Sequence, residues 1–281
     1  MGPCAAIVLA GGRSSRMGTP KASLAWHGLP LLGRIARLLA RSVSGPVVVV
    51  RALDQALPAL PRDVAVVEDA REDRGPLEGI AAGLRALPAG TRLAYVSSTD
   101  VPFLHPAFVR RVIAGAAPGI DVAVARTNGR THPLAAAYCT SVLPTIEEQL
   151  AADLLRPAAL FERVATRFLD EDDLLADPEV GLHDPRLDSV RNLNRASEYA
   201  SAVAEPSPPV TVEVFGALRA AGASSPVAVR AATLGAAAAA SGLALDEHVV
   251  AALNGDQISR DPAVPLVAGD RVSFMSADAG G

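Results

Sequence analysis

Across the first half of the chain, short β-branched runs alternate with helical stretches, and that alternation leaves few folds open. A strand followed by a helix must cross back to a parallel neighbour, so a series of such units builds a mostly parallel sheet covered by helices. Ala5-Ala6-Ile7-Val8-Leu9 is the first run, followed by Val47 to Val50, Val64 to Val67, Leu93 to Val96, Asp121 to Val124 and Leu134 to Tyr138. Val47 to Val50, Val64 to Val67 and Leu93 to Val96 are continuously apolar, as strands covered on both faces are. Between them, Pro30 to Val43 carries Leu31, Leu32, Ile35, Leu38 and Leu39 at helical spacing, with Arg34, Arg37 and Arg41 on the other side. Pro76 to Leu87 and Thr140 to Leu155 also read as helices. The expectation is a Rossmann-like α/β domain.

Glu205-Pro206-Ser207-Pro208-Pro209 is stiff and extended and cannot continue a helix, so it reads as a linker. The division expected is 1–204, a linker at 205–209, and a small domain at 210–281. In the latter, Val210 to Phe215, Val249 to Leu253 and Arg271 to Phe274 read as strands and Thr233 to Ser241 as a helix, a ββαββ-like α+β unit. It carries 4 basic against 7 acidic residues. A net charge of −4 for the whole chain, without a basic stripe, points away from nucleic acid and towards small molecules. The apolar stretch Cys4 to Ala10 is too short to span a membrane, and no Lys or Arg precedes it. Cys4 and Cys139 lack the spacing of a zinc site or a disulfide framework, in keeping with a cytoplasmic protein.

Of 26 Lys plus Arg residues, Lys21 is the only lysine. An ammonium is a compact point charge that sits against a phosphate where a forked guanidinium is bulkier, so this one exception marks a chemical requirement. Lys21 ends Leu9-Ala10-Gly11-Gly12-Arg13-Ser14-Ser15-Arg16-Met17-Gly18-Thr19-Pro20-Lys21, the loop after the first strand, where open parallel sheets present ligands. Gly11 and Gly12 let backbone amides approach a triphosphate, and Arg16 and Lys21 add positive charge. The loop has neither the Gly-Lys-Ser/Thr ending of a Walker loop nor dinucleotide glycine spacing.

Glu68-Asp69 closes the third strand and leads into Gly75-Pro76-Leu77-Glu78-Gly79. Asp69 can accept two donors, such as a guanine edge, or cap the helix that Pro76 begins. Asp100, in Ser97-Ser98-Thr99-Asp100-Val101-Pro102 beyond the fourth strand, can serve a hard ion such as magnesium beside a triphosphate, or cap a turn.

These motifs together resemble the MobA-type nucleotidyltransferases over roughly Ala5 to Ala204. The resemblance implies that Leu9, Ala10 and Gly11 contact a nucleotide by backbone, that Arg16 and Lys21 hold its phosphates, and that Asp69 belongs to a guanosine site near Gly75. It further implies that Asp100 binds magnesium and nucleotide, and that GTP donates GMP to a molybdopterin-type pterin phosphate. His132-Pro133 resembles the family's acceptor-side pair, though a histidine at a strand start is also an ordinary structural residue. Asn192-Leu193-Asn194 resembles its late Asn-x-Asn, which would face Asn194 to the site on the acceptor side, with His132, unless it caps the next helix. The family often has Asn where this chain has Arg51. A cytidylyltransferase of the MocA type, or a transferase acting on another phosphorylated metabolite, is the alternative among enzymes.

The small domain resembles the MoaD and ThiS β-grasp sulfur carriers in its strand pattern, in Leu253-Asn254-Gly255-Asp256, in Ala268-Gly269-Asp270 and in its terminal Gly280-Gly281. Its tail lacks the prolines that often precede Gly-Gly in MoaD. The resemblance implies sulfur loading on Gly281, with a carrier-activating enzyme and the large subunit of molybdopterin synthase as partners. A non-catalytic carrier joined to a nucleotide-binding domain is the alternative from another class.

Overall fold

A computed structural model describes residues 3–11, 20–69, 74–216, 218 and 225–276. They form two compact units, Met1–Trp26 with Pro30–Glu198, and His27–Leu29 with Tyr199–Gly281.

Up to residue 203 the chain runs through β1 (Cys4–Leu9), the short strands β2 (Ala25–Trp26) and β3 (Leu29–Pro30), α1 (Leu31–Ala40), β4 (Val47–Arg51), β5 (Ala65–Glu68) and α2 (Pro76–Arg85). There follow β6 (Leu93–Ser98), α3 (Pro106–Gly115), β7 (Val122–Thr127), β8 (Arg130–Cys139), α4 (Leu143–Ala151), α5 (Pro157–Phe161), β9 (Thr166–Leu169), α6 (Glu171–Leu175), α7 (Pro178–His183) and α8 (Ala196–Val203). Proline stands in the first turn of α2, α3, α4, α5 and α7, where its missing N–H has no partner to lose.

Seven strands form one sheet in the order β5-β4-β1-β6-β8-β7-β9. The pairs β4/β5, β1/β4, β1/β6 and β7/β9 are parallel, and β8 runs antiparallel between β6 and β7. The sheet is thus mostly parallel. Ala5, Ile7 and Leu9 of β1 share a core with Leu77, Ile80 and Leu84 of α2. Ala6 and Val8 are equally buried, which requires cover on the second face. Close approach of α2 rests on Gly83, where a Cβ would lie 2.5 Å from Cγ2 of Ile7.

Three expectations need correction. The run Val64 to Val67 is not covered on both faces: β5 is the sheet edge, and Val66 is exposed. Arg34 does not face solvent, because α1 is buried nearly all round; it is itself buried, and its Nε donates to the Pro102 carbonyl at 3.1 Å. The helix expected from Thr140 to Leu155 is a 3-10 turn at Thr140–Val142 and then α4, which ends at Ala151.

The smaller unit holds β10 (Pro209–Val214), β11 (Val227–Arg230), α9 (Leu234–Ala240), β12 (Val249–Leu253), β13 (Gln257–Ser259) and β14 (Arg271–Ser276). Its mixed sheet has the order β11-β10-β14-β12-β13, with β10/β14 parallel and the other pairs antiparallel. Val210, Val212 and Val214 alternate inward onto Leu234, Ala237 and Ala238, the period of two expected of a strand with one covered face. The buried Asp270 takes the Asn254 amide at 2.9 Å and the Val267 N–H at 2.9 Å, which ties the β12–β13 turn to the start of β14.

Candidate active site

The order of the main sheet creates a crevice. From β1 the chain steps to β4 and β5 on one side, then returns to lay β6 on the other, with Leu9 opposite Ser98 in parallel register. Loops leaving the carboxyl ends of two such strands diverge, and ligands of open α/β sheets bind in the gap. Lys21 follows β1 and Asp100 follows β6.

Within this gap the Lys21 Nζ lies 2.8 Å from Oδ2 of Asp100 and 2.8 Å from Oδ1 of Asn194. Oδ1 of Asp100 accepts from the Ser98 hydroxyl at 2.6 Å and from the Asn192 amide at 3.1 Å, and its carbonyl accepts the Leu193 N–H at 2.8 Å. Asp100 is 8% exposed. Three segments far apart in sequence therefore meet around one carboxylate. Arg34 of α1 holds the same turn from beneath through the Pro102 carbonyl.

The segment that brings the two asparagines is anchored by a second buried acid. Asp184 accepts the Asp188 N–H at 2.7 Å and the Ser189 N–H at 3.3 Å, while the Ser189 Oγ accepts the His105 N–H at 2.9 Å. Burial is the largest influence on Asp184 and pushes its carboxyl up to about 6, against the pull of its bonds to Ser189 and Asp188. Asn194 does not spend its side chain on helix capping. Glu198 instead takes the N–H groups of Asn194 at 2.8 Å and Arg195 at 3.1 Å, and the Asn194 amide above all holds the Glu198 carboxyl below the usual carboxylate range.

The other sequence candidates stand as follows. Ala10 is buried, and its N–H donates to the Val50 carbonyl at 2.8 Å. A Cβ on Gly11 would come within 3.3 Å of the Ala52 nitrogen, so bare backbone suits this position. Asp69 is half-buried at the end of β5, and its N–H donates to the Arg51 carbonyl at 2.7 Å. The N-cap of α2 is Gly75, at φ +76, rather than Asp69. Gly12, Arg16, Gly280 and Gly281 lie outside the described residues.

His132 lies apart from the Lys21–Asp100 cluster. Its Nε2 is 2.8 Å from the Thr127 hydroxyl, and burial, followed by Arg130, lowers its basicity. It lines a cavity of about 640 Å³ with Thr127, Arg130, Arg186 and Arg191, which neither Lys21 nor Asp100 lines. Arg191 precedes Asn192 and stacks on Phe103 at 4.7 Å, so cavity and cluster share one segment. Ser98, Glu198 and the buried Arg34 were not singled out from sequence. Ser98 carried a local signal, since a hydroxyl two residues before an Asp at a strand end can close a turn on it.

A profile of the MobA-like NTP transferase domain matches residues 6–167. A protein of Mycobacterium tuberculosis named "Probable molybdenum cofactor guanylyltransferase" is 36% identical over 167 residues, which are 57% of this chain and 80% of that protein. The molybdenum cofactor guanylyltransferase of Desulfosudis oleivorans is 32% identical over 199 residues, 70% of this chain and 93% of that protein. The crystal structure of molybdopterin-guanine dinucleotide biosynthesis protein A from Archaeoglobus fulgidus is similar with a TM-score of 0.56 at 20% identity, covering 70% of this chain and 96% of that one, a likeness of fold alone.

Proposed function

We propose a function for a chain that belongs to the MobA-like NTP transferase domain family and is a nucleotidyltransferase: it transfers GMP from GTP to the phosphate of a molybdopterin-type pterin. The observation that carries this reading is the meeting of Lys21, Asp100 and Asn194 at 2.8 Å in the crevice between β1 and β6. An oxygen of the acceptor phosphate attacks the α-phosphorus of GTP in line, the bond from that phosphorus to the bridging oxygen breaks, and pyrophosphate leaves. The protein forms no bond to substrate, so its work is positioning and charge neutralisation.

Leu9, Ala10, Gly11 and Gly12 present backbone to the nucleotide, Arg16 and Lys21 take its phosphates, and Asp69, beside Gly75, takes the guanine edge. His132 belongs to the acceptor side, where Arg130, Arg186 and Arg191 line its cavity together with Glu171, Asp172 and Asp188, and Asp188 pairs with Arg186 and Arg191. Magnesium fits the donor set. Asp100 and Asn194 aim two oxygens at one cationic position, now that of the Lys21 ammonium. No three His, Cys, Asp or Glu side chains gather as a metal site among the described residues, and magnesium characteristically takes one or two carboxylates and completes its shell with phosphate and water. Asp100 and Asn194 would hold it, and it would neutralise charge developing on the triphosphate.

With α-labelled GTP or CTP, magnesium and purified pterin phosphate, label should pass to the pterin from GTP with matching release of pyrophosphate. Faster transfer from CTP would replace this reading with cytidylyl transfer.

The division into 1–204, a linker at 205–209 and 210–281 belongs to the same proposal, with the second piece a β-grasp sulfur carrier. Support comes from its five-stranded mixed sheet, against which α9 packs, and from the Gly280-Gly281 pair in the sequence. Its partners would be a carrier-activating enzyme and the large subunit of molybdopterin synthase. Intact-mass spectrometry after incubation with ATP, a carrier-activating enzyme and a sulfur donor should find one oxygen replaced by sulfur at Gly281, and no such gain after Gly281 is deleted. A wild-type chain that never gains sulfur while an authentic carrier does would remove this half of the proposal.

A further inference from the structure

Three strand ends beside the crevice are tied together by side chains that the proposed chemistry does not use. Arg51, at the end of β4, donates through Nη1 to the Gln55 carbonyl at 2.9 Å and through Nη2 to Oε1 of Glu68 at 2.7 Å. The Gln55 side chain turns back between β4 and β1. Its Nε2 donates to the Ala10 carbonyl at 2.9 Å, and its Oε1 accepts the Ala52 N–H at 3.0 Å. Both ends of that amide are thereby assigned, since one partner is an acceptor and the other a donor. The Arg51 carbonyl also takes the Asp69 N–H at 2.7 Å. One residue thus links Ala10 after β1, through Gln55, to Glu68 and Asp69 at the end of β5.

That edge needs such a tie. Among the described residues β5 has a strand neighbour on one side only, and it exposes Val66, so little apolar burial holds its end in place. A planar guanidinium can grip a carboxylate and a carbonyl at once, which a short amide such as Asn cannot span. We propose that Arg51 is a positioning residue which, with Gln55, sets the separation of Ala10 from Asp69 and so the preference of the nucleoside slot for guanine over cytosine. This rests on the guanylyl-transfer reading above, in which Ala10 and Asp69 both face the nucleoside. Guanine presents an N1–H and an amino group side by side to one carboxylate, whereas cytosine has no such pair, so preference depends on where Asp69 stands. A buried hydrogen-bonding site discriminates only as well as it is held in place.

The test is equilibrium titration of the full chain with magnesium-GTP and magnesium-CTP, paired with pyrophosphate release. Arg51→Ala and Gln55→Glu, the latter setting a carboxylate oxygen against the Ala10 carbonyl, should each narrow the GTP/CTP affinity ratio about fivefold or more. KM for GTP should rise while kcat stays within about twofold, as expected when ground-state and transition-state binding weaken alike. The exchanged pair Arg51→Glu with Glu68→Arg should recover part of the ratio, which a general loosening of the fold would not. Melting temperatures of all variants report folding separately. A GTP preference that survives both single substitutions in folded protein overturns the clamp and leaves guanylyl transfer standing. A wild-type chain that binds CTP as tightly as GTP overturns the guanosine reading and the clamp with it.

Discussion

Asp100→Ala is expected to lower the rate of GMP transfer at least about a hundredfold, since it removes the carboxylate that would hold magnesium against the triphosphate, a contact that contributes several kcal/mol to the transition state. The structure adds a cost that a loop position in the sequence did not suggest. Asp100 is buried and accepts from Ser98, Asn192 and Lys21, so its removal deprives each of those donors of an acceptor. Lys21 keeps the Asn194 oxygen, but leaving Ser98 and Asn192 unmet costs about 1–3 kcal/mol, and the melting temperature should fall by several degrees. Asp100→Asn separates the two effects. It keeps an acceptor for Ser98 and the shape of the side chain but loses the charge, so it should melt closer to wild type and transfer GMP as poorly as the alanine variant. Transfer within about threefold of wild type in Asp100→Asn would rule out a charge role for this carboxylate.

Lys21→Ala is expected to cost about as much, and Lys21→Arg should fall nearer to it than to wild type. The Nζ sits between two oxygens at 2.8 Å with its side chain 21% exposed, a place fitted to a point charge on a flexible stem. A guanidinium there must push its planar fork past Asp100 or Asn194. Pyrophosphate release and GTP titration on the two variants measure this. Rates within about threefold of wild type for Lys21→Arg would mean that the one lysine of the chain answers no chemical need.

Much of the architecture was legible because its signals are local. Period-two and continuous apolar runs marked most strands of the main sheet, and the spacing of Leu31, Ile35 and Leu38 marked α1. Short elements escaped, among them β9 and β13, since four or three residues carry too little pattern to distinguish a strand from a loop. The exposure of β5 was hidden for another reason. A valine-rich run reads the same at the centre of a sheet and at its edge, and only strand order decides which it is.

For the candidate site, residue type was readable and relation was not. A lone lysine after a glycine-rich loop and an aspartate beyond a strand end stood out by chemistry, and the late Asn-x-Asn by its likeness to the family pattern. Their meeting depends on β6 returning to the free side of β1 and on Asp184 and Ser189 holding the segment that carries Asn192 and Asn194. Hydrogen bonds between residues 79 and 173 positions apart leave no trace in local spacing. By itself the sequence determined which side chains were available and which strands and helices the backbone would form, because propensity and periodicity act over a few residues. The tertiary structure alone decided that Arg34 is buried, that β5 is an edge, and that Lys21, Asp100 and Asn194 share one point in space, because crossing order and long-range packing place strand ends side by side.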